Sequence, residues 1–117
     1  VNYAYWRDQF ADGLDSRFYP IEYLDELVRS GNVRFWFGNE SAVCGIIKDY
    51  PGGARVLEML VGAGDLEEIL NVLRPRLEAW AKAWGCSDVM VASREGWARA
   101  LKEHGYEPWQ ISVRKGL

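Results

Sequence analysis

Apolar positions along the chain recur with two different periods, and the switch between them predicts the order of elements. Over residues 20–29, Ile21, Leu24, Leu27 and Val28 share one helical face, Pro20 suits the first turn, and Ser30-Gly31-Asn32 supplies a stop. Residues 33–37 then alternate with a period of two, Gly38-Asn39-Glu40-Ser41 turns, and residues 42–47 run back, which predicts a hairpin. A second turn, Asp49-Tyr50-Pro51-Gly52-Gly53, leads into a third strand over 55–61 and completes an antiparallel meander. From Asp65 the spacing lengthens to three and four, so that Leu66, Ile69, Leu70, Leu73, Leu77, Trp80 and Trp84 form one stripe of a long helix ending at Gly85. Asp65 and Glu68 stand at capping-box spacing, and Pro75 predicts a kink or a break near Arg74.

Residues 88–92 predict a strand, 95–104 a short helix with Trp97, Ala98 and Leu101 inward, and 107–114 a last strand. The stretch to about Tyr19 carries a weak signal, with room for a short helix packed by its aromatic residues. The strand–helix–strand crossover between 55 and 92 favours some parallel pairing. The expected fold class is therefore α+β with a mixed sheet, in one domain over 1–117 whose core is 20–117.

Composition narrows the function classes. At 117 residues, 49% hydrophobic and 26% charged, the chain is a globular domain able to bury a core of its own. A net charge of −3 with scattered basic residues argues against nucleic acid as a partner. No apolar run approaches the ~20 residues of a membrane span, and the opening Val1-Asn2-Tyr3-Ala4-Tyr5-Trp6 has no signal pattern, so a cytoplasmic protein is expected. Cys44 and Cys86 read as reduced thiols among apolar or small neighbours, and a single histidine argues against a His-based metal site. Aromatic residues make up 14% of the chain, enough to leave an adhesive patch, for which Trp6, Trp36 and Trp109 are the candidates.

The element order, together with Gly96-Trp97-Ala98-Arg99-Ala100-Leu101-Lys102-Glu103-His104-Gly105-Tyr106-Glu107-Pro108, resembles the acyl-CoA N-acyltransferase (GNAT) fold, whose closing helix ends on Gly-Phe or Gly-Tyr. A narrower resemblance is to small GNAT-like proteins of phages and prophages. It rests on Trp36, Tyr50-Pro51, Gly64-Asp65-Leu66, Glu78-Ala79-Trp80, Arg94, Gly96-Trp97, Gly105-Tyr106, Lys115 and Leu117. That resemblance implies action in a host cytoplasm, with a virion component, a host protein or a second copy as the partner.

The GNAT resemblance implies acetyl-CoA as cofactor, its pyrophosphate held by a Gln/Arg-x-x-Gly-x-Gly/Ala loop at the N-terminus of the long helix. Here the junction is only Gly62-Ala63-Gly64-Asp65. Asp65, Glu67 and Glu68 place three carboxylates in the first turn, where they complement the helix dipole themselves and would repel a phosphate. The family's tyrosine acid, four residues before the closing Gly, is replaced by Leu101, and Tyr106 reads as a core or interface residue. The sequence thus favours a non-catalytic domain acting through protein contacts, with no cofactor expected. The alternative is an N-acetyltransferase in which Gly62, Ala63 and Gly64 hold acetyl-CoA by backbone alone and Glu58 is the base. Arg94 is a further candidate, for an anion or for an ion pair with Glu95 or Asp88.

Overall fold

Residues 2–92 and 95–117 are described in a computed structural model; Arg94 lies outside them. The N-terminal segment forms α1 (Tyr3–Gly13), started by Asn2, whose side chain accepts the Tyr5 N–H at 3.2 Å. α2 (Ile21–Ser30) ends on Gly31, whose φ of 74° is the left-handed conformation that a glycine adopts without strain. β1 (Arg34–Phe37), β2 (Ser41–Asp49) and β3 (Arg55–Gly64) form the expected meander. α3 (Leu66–Glu68), a π turn (Ile69–Leu73) and α4 (Arg74–Ala83) run on as one helix. β4 (Asp88–Val91) and α5 (Glu95–Lys102) follow. The sheet order is β1-β2-β3-β4, antiparallel except for the parallel pairing of β3 with β4.

The irregularity expected at Pro75 takes the form of that π turn. Proline has no N–H to return to the preceding turn, and the Arg74 N–H reaches back five residues, to Ile69. The Arg74 side chain supplies a donor of its own, its Nε bonding the Leu70 carbonyl at 2.9 Å. The wide turn also sets which side chains go inward. Ile69, Leu73, Leu77 and Ala81, each four apart, are buried, whereas Leu66 and Trp84 at the ends of the predicted stripe are exposed.

Each face of the sheet carries its own core, because strand side chains alternate between faces. Val43, Leu57 and Met59 pack beneath Ile69, Leu73, Leu77 and Ala81 of the long helix. On the opposite face Ala42 and Cys44 meet Trp6, Phe10 and Leu24 from α1 and α2. Burial pushes the Cys44 thiol up to about 12. Arg7 ties α1 to α2 through a two-pronged ion pair with Asp25, at 2.9 and 2.7 Å, which Tyr3 joins at 2.6 Å.

Four expectations are corrected. Residues 107–114 form no strand: the chain does turn at 103–105, with the Tyr106 N–H on the Leu101 carbonyl, but beyond it no backbone pairing with β4 follows and β4 ends the sheet among the described residues. Trp6, expected among the exposed aromatics, is buried, because α1 lays its 6 and 10 positions onto the sheet. Gly62, Ala63 and Gly64 are not a loop but the end of β3, paired with Val43, Ala42 and Ser41. The capping box does not close on itself: Asp65 accepts the Glu67 N–H at 3.2 Å, while Glu68 turns away to the β1–β2 turn.

Candidate functional site

The site originates in a mismatch of strand lengths. β3 pairs with β4 only from Val56 to Met59, then continues to Gly64 with no strand beside it on that flank among the described residues. An extra residue, Leu60, bulges at the parting point, where the partner of β2 steps from Val61 opposite Cys44 to Met59 opposite Gly45. Such a bulge bends and twists its strand, and it falls just past Met59, the last β3 residue paired with β4.

Two cavities open into this gap from opposite faces. The larger, about 330 Å3, lies under the long helix and α5, walled by Ile69, Leu70, Leu77, Val91, Trp97 and Leu101. The smaller, about 190 Å3, lies on the α1–α2 face and is lined by Asp15, Tyr19, Tyr23 and Glu58. Gly13, Met59, Leu60, Val61 and Ala92 line both, so the two meet where the strands separate.

The sequence-derived candidates fall as follows. Glu58 sits mid-strand and is one of the residues lining the smaller cavity; its carboxylate lies 3.8 Å from the Lys48 ammonium. Gly62 faces the larger cavity, where a Cβ would stand 3.2 Å from Val43 Cγ1 and 3.6 Å from both Ile69 Cδ1 and Trp97 Cη2. Gly64, with φ of 93°, is pressed against the Glu40 carbonyl and lines neither cavity, and Ala63 is paired in the sheet. Trp36 is half-buried, edge-on to Trp80 at 5.4 Å, and only Trp109 of the three tryptophans is largely exposed. The structure therefore brings Glu58 and Gly62 to one gap and leaves Trp6, Trp36 and Trp109 apart from it.

Sequence reasoning missed Arg74 and Tyr106 as residues of the larger cavity. Tyr106 donates its hydroxyl to Glu78 at 2.7 Å, and Arg74 grips the other Glu78 oxygen at 2.9 Å. Burial, then the bond to the Glu78 carboxylate, raises the Tyr106 phenol above its ordinary value. The Arg74–Glu78 spacing of four residues was the available signal for the ion pair. Tyr106 stood out in the sequence only as the closing Gly-Tyr and as a core or interface residue; its contact with Glu78, 28 residues away, has no local signal. On the other face, Arg17 bonds to Asp15 through both side chain and backbone and holds its carboxyl at about 2.

The helix N-terminus is occupied by the protein's own acids. Asp65 caps it, and Glu68 accepts the N–H groups of Asn39 at 3.1 Å and Glu40 at 2.9 Å together with the Ser41 hydroxyl. An incoming phosphate would meet carboxylates rather than free donors there. Among the described residues there is no group of acids, histidines and cysteines that could hold a metal ion, and no helix long and apolar enough to cross a membrane.

No family model matches this sequence, and no curated protein matches it. Solved structures do. A Trypanosoma brucei acetyltransferase superposes with a TM-score of 0.68 at 14% identity, covering 97% of this chain and 92% of that one. A Clostridium acetobutylicum protein, described as a predicted acetyltransferase and solved with acetyl-CoA, gives 0.66 at 12% identity over 88% of this chain and 76% of its own. Glucosamine-6-phosphate N-acetyltransferase from Arabidopsis thaliana gives 0.62 at 14% identity, over 99% and 94%. At such identities the likeness concerns the fold, and the chain has the GNAT fold of these acetyltransferases.

Proposed function

We propose that the chain is an acyl-CoA-dependent N-acyltransferase whose larger cavity takes the acyl-pantetheine arm and whose smaller cavity takes the amine. The observation that carries this reading is the meeting of the two cavities at Leu60 and Ala92, with Glu58 on the amine side. Apolar walls suit an extended thioester arm. An amine approaching from the α1–α2 face gives its proton to Glu58 as its nitrogen attacks the thioester carbonyl; the C–S bond then breaks, the thiolate leaves and takes a proton from water, and Glu58 returns its own proton to solvent. Fit is incomplete at the nucleotide end, because Asp65 and Glu67 stand where this fold otherwise presents free N–H groups to phosphate. Most of the donor affinity is accordingly assigned to the arm.

Calorimetric titration with acetyl-CoA and with acetyl-pantetheine tests this. The expected result is binding of both within about tenfold, a difference of ~1.4 kcal/mol, and loss of both in Ala92→Trp, a variant at an exposed position that plugs the junction. Absence of binding at millimolar ligand would sink the enzyme reading. A second reading, a non-catalytic domain of the kind found in phages that acts through protein contacts, is favoured by one observation: the self-capped, acidic helix N-terminus.

A further inference from the structure

The lining of the smaller cavity restricts what can enter it. Beside aliphatic residues such as Leu14 and Leu24 it presents Tyr19, Tyr23 and two acids, Asp15 and Glu58, and among the described residues no lysine, arginine or histidine lines it. The two acids are not equivalent. Asp15 accepts the Arg17 guanidinium at 3.1 and 2.8 Å and the Arg17 backbone N–H at 3.1 Å, which fills most of its acceptor sites, and Arg114 adds a weaker attraction. Glu58 has the Lys48 ammonium at 3.8 Å, beyond hydrogen-bond range. Each cation acting on the pair is thus already set against a carboxylate. The rings of Tyr19 and Tyr23 stand 5.5 Å apart at 43°, and the two residues are 49% and 37% exposed.

We infer that the acceptor is a small primary amine with a single positive charge and an apolar body about the size of one ring, and that it carries no carboxylate, phosphate or second ammonium. The inference rests on the assignment of this cavity to the amine. Charge decides the first half. One ammonium has one carboxylate with open acceptor sites to meet, Glu58. An acidic group on the acceptor would meet two carboxylates and no spare cation. A second ammonium would find Asp15 already matched to Arg17 and would lose its water without a partner. Shape decides the other half. At about 190 Å3 the cavity is somewhat larger than the ~150 Å3 that holds a benzene ring. Aliphatic walls and two tyrosines favour moving such a body out of water, and a ring packs offset or edge-on against another ring. Glu58 belongs to β3, whereas Tyr19 and Tyr23 come from the α1–α2 side, so the amine lies toward the strands and the body toward the helices.

Three probes separate these features: phenethylamine has one ammonium and one ring, phenylalanine adds a carboxylate, and butane-1,4-diamine exchanges the ring for a second ammonium. Each is titrated into the full chain by nuclear magnetic resonance, with no acyl donor present. Phenethylamine is expected to bind at least about tenfold more tightly than either of the others and to shift residues 13–24, 58–61 and 92. Tyr19→Ala with Tyr23→Ala is expected to weaken phenethylamine about tenfold while circular dichroism stays unchanged, and phenylalanine at both positions to recover most of the affinity, because the ring and not the hydroxyl makes the contact. No binding of phenethylamine at tens of millimolar, equal binding of phenylalanine or the diamine, or affinity indifferent to loss of both rings would each overturn the inference. Failure of the acyltransferase reading looks different: acetyl-pantetheine would not bind, while the three amines kept their order.

Discussion

Glu68 locks onto Glu40: its Oε1 accepts the Glu40 N–H at 2.9 Å, joining the long helix to the β1–β2 turn 28 residues earlier. Gly38 makes the room, since a Cβ there would collide with the same carboxylate. The Ser41 hydroxyl first, then the Glu40 N–H, hold Glu68 below its ordinary 4.5. A depressed carboxylate stabilises the fold above its unfolded value and loses that contribution as pH falls through the folded one. Glu68→Gln is therefore expected to lower the melting temperature by several degrees at pH 7 and to flatten the acid limb of the stability profile below about pH 4.5. Gly38→Ala is expected to cost a similar amount, and the double variant less than the sum, read by thermal denaturation across pH.

Glu58 carries the catalytic proposal, and the outcome for it is specific. With a transferable amine found, Glu58→Gln is expected to lower kcat about 10²–10⁴-fold while leaving the donor dissociation constant unchanged, because the base side and the donor side are separate cavities. Lost donor binding in this variant would mean that Glu58 shapes the cleft rather than taking a proton.

Tyr3 and Tyr106 each lie against a carboxylate, Asp25 and Glu78, and burial leads the causes that raise both phenols. A raised phenol contributes stability that is complete below its unfolded value, near 10, and is lost as pH rises through the folded one. Ultraviolet titration is expected to show two of the six tyrosines ionising later than the rest, reduced to one in Tyr106→Phe. That variant is expected to lose about 1 kcal/mol of stability, the usual net value of one hydrogen bond.

Phe10 and Trp6 are buried one helical turn apart, yet their substitutions should differ in cost. Phe10 is wholly enclosed, so Phe10→Ala is expected to cost about 3–5 kcal/mol in denaturant unfolding. The Trp6 indole N–H is buried and has no partner among the described residues, so Trp6→Phe removes an unmet donor along with some volume. It is expected to cost under about 1.5 kcal/mol, the range of tolerated core swaps. A larger loss would show that the indole N–H is satisfied in solution.

Local pattern determined much of this molecule. The period of two over 33–37 and 42–47, the period of three and four after Asp65, and the glycines at 31 and 85 set the meander, the long helix and its ends, because side-chain direction follows backbone geometry within a few residues. The same locality makes the acidic first turn and the lack of a phosphate loop legible in the order of residues alone. What tertiary packing alone decided is where separate elements meet. Trp6 went inward because α1 has a sheet face to cover. Gly62 to Gly64 became strand because β2 extends back to Ser41 and supplies hydrogen-bond partners. Glu68 left its own helix for Asn39 and Glu40, and Tyr106 reached Glu78, each across a sequence separation that no local spacing encodes. The cleft is likewise a property of the sheet: it exists because β4 stops pairing at Val91 while β3 goes on to Gly64, a difference in length between strands brought side by side only by folding.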